Sequence, residues 1–131
     1  MSSIYLYMQT TGLMNNDSKD KEIGMAKVEN ITENDFETKV IESDLPVLVD
    51  FTAAWCGPCK MVSPLVEELA GDWEGKARVY KMDVDANPTM PVQYSVLSIP
   101  ALLLFVNGEV AARVAGFKPK KQLLKAFEPH L

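Results

Sequence analysis

Pro46-Val47-Leu48-Val49-Asp50-Phe51-Thr52-Ala53-Ala54-Trp55-Cys56-Gly57-Pro58-Cys59-Lys60 is the stretch that decides the fold. Its first six residues are mostly apolar, with β-branched Val47 and Val49, and they read as a short strand buried on both faces. A helix from about Gly57 to Asp72 follows, with Pro64 inside it as a kink site. The two cysteines therefore stand where a buried strand turns into a helix. A thiol attacks a disulfide only as the thiolate, so its pKa must come down toward the working pH. Free backbone N–H groups and the positive dipole end of a helix supply that help at its start. Cys56 occupies the start, and Pro58 suits a first turn. Cys59 lies one turn further on the same face, close enough to close a small ring with Cys56. Position alone makes Cys56 the exposed nucleophile and Cys59 the sheltered resolving thiol.

Outward from this stretch the elements alternate. Upstream, a short strand is expected over about Lys27 to Ile31. Thr32 then offers an N-cap, with Glu33 and Asp35 in the first turn of a helix running to about Ser43. Downstream come a strand from Ala77 to Val84, a loop with a short helix over Asn87 to Tyr94, and a buried strand from Ala101 to Val106. Asn107-Gly108 sits between two apolar runs and signals a hairpin to Val110–Val114. Pro119 fits the first turn of a closing helix that reaches almost to Leu131. Alternating units with a terminal hairpin imply an α/β fold, a mixed sheet covered by helices on both faces. Met1 to Gly24 reads differently. Asn15 to Glu22 contains no apolar residue, so this leader is expected to be a flexible extension, with one domain over residues 25–131.

Composition narrows the class. The 131 residues suit one domain, and 47% hydrophobic with 24% charged residues can build a core without staples. A net charge of −5 and a pI near 4.8, without a basic cluster, argue against nucleic acid and anionic membranes as partners. No apolar run approaches the roughly 20 residues of a membrane span. Ile4 to Met8 is apolar but lacks a basic start and a cleavage site, so a cytoplasmic location is expected. There, a close cysteine pair is catalytic or metal-binding rather than a staple. Zinc wants four ligands, and the chain offers two cysteines and His130, so no metal is expected.

Several stretches from Met25 to Leu131 carry a family resemblance: Val49-Asp50-Phe51, Trp55 to Lys60, Lys81 to Asp85, Ser98-Ile99-Pro100, Asn107-Gly108-Glu109 and Ala115-Gly116. In motif and spacing they resemble the thioredoxin family. The resemblance implies a thioredoxin fold and a protein-disulfide reductase cycling Cys56 and Cys59 between dithiol and disulfide. It implies that Asp50 is a buried acid beneath the cysteines and a proton relay for Cys59, with Lys81 as its partner from the neighbouring strand. An ordinary strand-end acid and a surface lysine are the plain alternatives. It also implies a cis bond at Ile99-Pro100, and a substrate-binding surface of Trp55, Gly57, Pro58, Ile99, Pro100 and Gly116. The expected partners are disulfide-containing proteins and a flavin-dependent thioredoxin reductase supplying electrons from NADPH. No cofactor would be held by the chain, which would work as a monomer.

Thr52, Ala54 and Ala101 depart from the usual tryptophan, acidic residue and threonine of that family, but none removes a group the exchange requires. Two rivals remain. One is an oxidase or isomerase of an exported compartment, disfavoured by the absence of a histidine between the cysteines. The other is a docking module within a larger assembly.

Overall fold

The structure, a computed structural model, describes residues 28–131. The expected leader over Met1–Gly24 lies outside the described residues, as does Lys27 of the first expected strand. From Val28 the chain runs β1 (Glu29–Asn30), α1 (Glu33–Phe36, continued by a π-helical turn over Glu37–Ile41), β2 (Val47–Thr52) and α2 (Gly57–Asp72). It continues through β3 (Arg78–Asp83), α3 (Thr89–Gln93), β4 (Ala101–Val106), β5 (Glu109–Ala115) and α4 (Lys120–Phe127), ending in a 3-10 turn over Glu128–His130.

The five strands form one mixed sheet in the order β1-β3-β2-β4-β5. β2 lies at its centre, parallel to β3 and antiparallel to β4. Alternate side chains of a strand point to opposite faces, so β2 feeds two cores. Leu48 joins Val62, Val66 and Leu69 of α2 and Leu123 and Phe127 of α4 on one face. Val47, Val49 and Phe51 join Phe36, Val40 and Phe105 on the other, with Met90 and Tyr94 packed alongside. Asp50 follows Leu48 by two residues and so points toward the α2 side. The inward stripe of α2, Cys59, Val62, Val66 and Leu69, has the three-to-four spacing of a helix with one buried face.

Local differences from the sequence expectations have physical causes. The helix expected to reach Ser43 ends at Ile41. There Ser43 Oγ donates to the carbonyl of Leu45 and accepts from its N–H, closing a turn before Pro46. Its last turn is wider than an α-helix, with the Glu42 N–H reaching the Glu37 carbonyl. Pro119 stands one position before the closing helix rather than inside its first turn. It is extended (φ −66°, ψ 158°), and its carbonyl accepts from Gln122 and Leu123. Pro64 lies within α2 without ending it. The hairpin is as expected: Asn107 (φ 54°) and Gly108 (φ 84°) carry the turn between β4 and β5.

Candidate active site

The central strand β2 and the long helix α2 meet at the cysteines. Cys56 is the N-cap of α2, its backbone extended (φ −91°, ψ 112°), and its sulfur accepts the N–H of Cys59 at 3.1 Å. That bond and the 16-residue helix behind it place partial positive charge beside the Cys56 sulfur, which favours a thiolate over a thiol. Pro58 occupies the second helical position, where a missing N–H costs nothing. An added Cβ at Gly57 would meet nothing within 4 Å, so the loop is open to solvent there. Cys56 and Cys59 are joined as a disulfide with Cα atoms 5.3 Å apart. One expectation is corrected. Cys56 is not exposed in the disulfide state: it is 4% accessible against 3% for Cys59. Both cysteines form a buried cluster with Ala53, and Val84 and Ile99 pack against it.

Asp50 lies beneath this ring, 3% exposed, and among the described residues its Oδ1 has no hydrogen-bond partner. Burial pushes its carboxyl up to about 7, and the positive charge of Lys81 works against that rise. Lys81 stands opposite Asp50 in the parallel β2–β3 register and is half-buried. Both line a cleft of about 270 Å³ with Cys59, Lys60, Ser63 and Asn30. The small residues Thr52 and Ala54 form part of its wall. The cleft thus connects Cys59, the buried acid and solvent.

On the opposite side, Ile99-Pro100 is a cis peptide, and Ile99 packs against the cysteines. Pro100 is buried, and its carbonyl accepts the Gly116 N–H at 2.8 Å. Gly116 has φ +79°, a conformation that side chains resist, and its nearest neighbour would be the Lys118 ammonium at 3.7 Å. Trp55 is 69% exposed, which sets aside core packing, and its indole N–H donates to Asp85 Oδ2 at 2.8 Å. A groove of about 360 Å³ runs beside it, lined by Trp55, Val84, Pro91, Val96, Leu97 and Ile99.

Sequence reasoning assigned nothing to Leu97 and Val92, which are 94% and 80% exposed. Their signal in the sequence is faint: Val92 lies in the short helix α3 and Leu97 in the loop after it. In the sequence Asp85 stands out only as part of a motif, because its contact with Trp55 spans 30 residues. His130 lies in the terminal 3-10 turn. Among the described residues no group of three or more His, Cys, Asp or Glu is placed to hold a metal ion, and no helix is long and apolar enough to cross a membrane.

Comparison with known proteins agrees with this geometry. The family model described as Thioredoxin matches residues 27–128. A thioredoxin of Staphylococcus epidermidis is 52% identical over 101 residues, covering 77% of this chain and 95% of the relative. One from Haemophilus influenzae is 48% identical over 107 residues, covering 82% of this chain and 100% of the relative. A Staphylococcus aureus thioredoxin is 50% identical over 101 residues. With a closed Cys56–Cys59 ring at the head of a helix and relatives this similar along nearly their whole length, the chain belongs to the thioredoxin family and is a thiol–disulfide oxidoreductase of the protein-disulfide reductase kind.

Proposed function

We propose that the chain reduces protein disulfides in the cytoplasm by a two-thiol relay, in which Asp50 serves the second thiol. The observation that carries this reading is the acid itself. A carboxyl held near 7 by burial, in the cleft that also contains Cys59, is poised to accept a proton at neutral pH. In the dithiol form the Cys56 thiolate attacks one sulfur of a target disulfide. A Cys56–target bond forms, the target S–S bond breaks, and one target sulfur leaves as thiolate. Asp50 then takes the proton of the Cys59 thiol. The Cys59 thiolate attacks Cys56 sulfur, closing the ring and expelling the second target thiolate. Two electrons pass to the target. The positive charge of Lys81 counters the effect of burial and keeps the pKa of Asp50 from rising further.

Trp55, Gly57, Pro58, Ile99, Pro100 and Gly116 form the face that receives the target, with the backbone before Pro100 available to an extended chain. The recharging donor is a flavin-dependent thioredoxin reductase drawing on NADPH, and the working unit is a monomer. Residues 25–131 form the domain, and residues 1–24 stand outside it.

Reduction of insulin disulfides by the purified protein tests this reading, first with dithiothreitol and then with NADPH and a thioredoxin reductase. Turnover in both is expected. Turnover with dithiothreitol alone would remove the proposed donor, and no turnover in either would overturn the reductase reading.

A further inference from the structure

We infer that Glu33 and Asn87, remote from the cysteines, are positioning residues that set the shape of the substrate groove. Asn87 is one of two buried polar residues among those described, 7% exposed. Both ends of its amide are engaged: Oδ1 accepts the Glu33 N–H at 2.9 Å and Nδ2 donates to the Asp83 carbonyl at 3.1 Å. Glu33 answers from the head of α1. Its Oε2 accepts the N–H groups of Thr89 and Met90, the latter at 3.2 Å, and so caps α3 across 56 and 57 residues of sequence. Bonds to a carboxylate are the stronger kind, and two on one oxygen fix where α3 begins.

Each end of this clamp reaches a different wall of the groove. Toward the C-terminus, α3 and the segment after it carry Pro91, Val96, Leu97 and Ile99, one wall. Tyr94 holds the same segment down through ring contacts with Phe36 (5.6 Å) and Phe105 (5.1 Å). Toward the N-terminus, the turn after β3 is bound into itself, with Asp83 Oδ1 accepting from Asp85 (2.8 Å) and Ala86 (3.3 Å). Asp85 in turn holds the Trp55 indole, the other wall. Glu33 and Asn87 tie the two walls to α1, so losing the tie loosens the groove while leaving the cysteines and Asp50 in place.

The inference rests on the proposed reading that Trp55 and Ile99, which line this groove, receive the target, and its test separates the two. Wild type, Glu33→Ala and Glu33→Gln are compared on insulin, which needs the groove, and on 5,5′-dithiobis(2-nitrobenzoic acid), a small disulfide that does not. Glu33→Ala is expected to raise KM for insulin about fivefold with kcat little changed, the scale of one lost net hydrogen bond. Its rate with the small disulfide stays at the wild-type value. Glu33→Gln keeps an acceptor oxygen and restores most of the KM. In Asn87→Ala the Trp55 indole N–H resonance shifts and exchanges faster with solvent. An unchanged insulin KM in Glu33→Ala would overturn the inference, as would an equal loss on both substrates. Failure of the wild-type protein on insulin would instead sink the reductase reading.

Discussion

Asp50 is the residue at which folding and chemistry pull against each other. Its carboxyl ordinarily titrates at 3.8, and burial raises it to about 7 in the folded chain. Between those values the unfolded chain has lost the proton and the folded chain has kept it. The folded state then binds more protons, so stability falls as pH rises from about 4 to about 7 and is level beyond. Asp50→Asn removes a group that must either stay neutral or ionise where it is buried. The variant is therefore expected to match wild type near pH 3.5 and to exceed it at pH 8, by up to about 4 kcal/mol in urea unfolding. Equal stability at pH 8 would mean that burial does not raise the Asp50 carboxyl. The same variant should release reduced target about tenfold more slowly at pH 7, a modest share of what a positioned base supplies. An unchanged single-turnover rate would remove Asp50 from the relay. At the cysteines the two thiols separate cleanly. Cys56→Ser is expected to abolish turnover, and Cys59→Ser to accumulate a covalent complex with target that reducing agent releases. Normal turnover by Cys59→Ser would exclude the two-thiol mechanism.

At the scale of elements, the hairpin shows how much a short stretch dictates. Asn107-Gly108 supplies two successive residues with positive φ, which matches the twist of β4 and β5. Gly108 is also tightly placed: a Cβ there would lie 3.2 Å from the Ile41 carbonyl oxygen and 3.3 Å from its Cγ2. Gly108→Ala therefore combines backbone strain with a clash against the end of α1. A loss of about 1–3 kcal/mol is expected in chemical denaturation, with the Cys56–Cys59 chemistry intact. A neutral result would show that the turn relaxes freely. Elements of this kind were legible because their signals are local. α2 was expected over about Gly57 to Asp72 and β4 over Ala101 to Val106, and the structure gives the same bounds, because each is a run with a clear start signal. The π-helical turn of α1 was not legible, since nothing in Glu37-Thr38-Lys39-Val40-Ile41 distinguishes it from ordinary helix. Nor was the burial of Cys56, which depends on Val84 and Ile99 arriving from distant segments. The contacts of Glu33 with Asn87 and Thr89 were equally out of reach, because no periodicity links residues more than 50 positions apart.

Across the whole molecule, one sheet divides two cores, and the site stands where both are anchored. β2 contributes Leu48 to one core and Val49 and Phe51 to the other, and its last residues lead directly to Cys56. The cysteines are thus held by packing on both sides of the sheet rather than by a loop alone. Buried residues of those cores run from Val28 to Phe127. The compared thioredoxins are likewise matched over 95–100% of their own length by 101–107 residues of this chain. Both observations bear on the polar stretch Asn15 to Glu22, which has no apolar side chain to add to either core. A chain starting at Met25 should therefore unfold within about 0.5 kcal/mol of the full protein, the range of changes away from packed or bonded features. Its insulin reduction with dithiothreitol should be equal as well, since every residue assigned to the relay and to the target face is retained. Thermal unfolding of the two chains side by side checks the first expectation and steady-state kinetics the second. A marked loss of stability would place part of residues 1–24 in the folded domain. A change in KM at equal stability would instead place those residues on the path of the target.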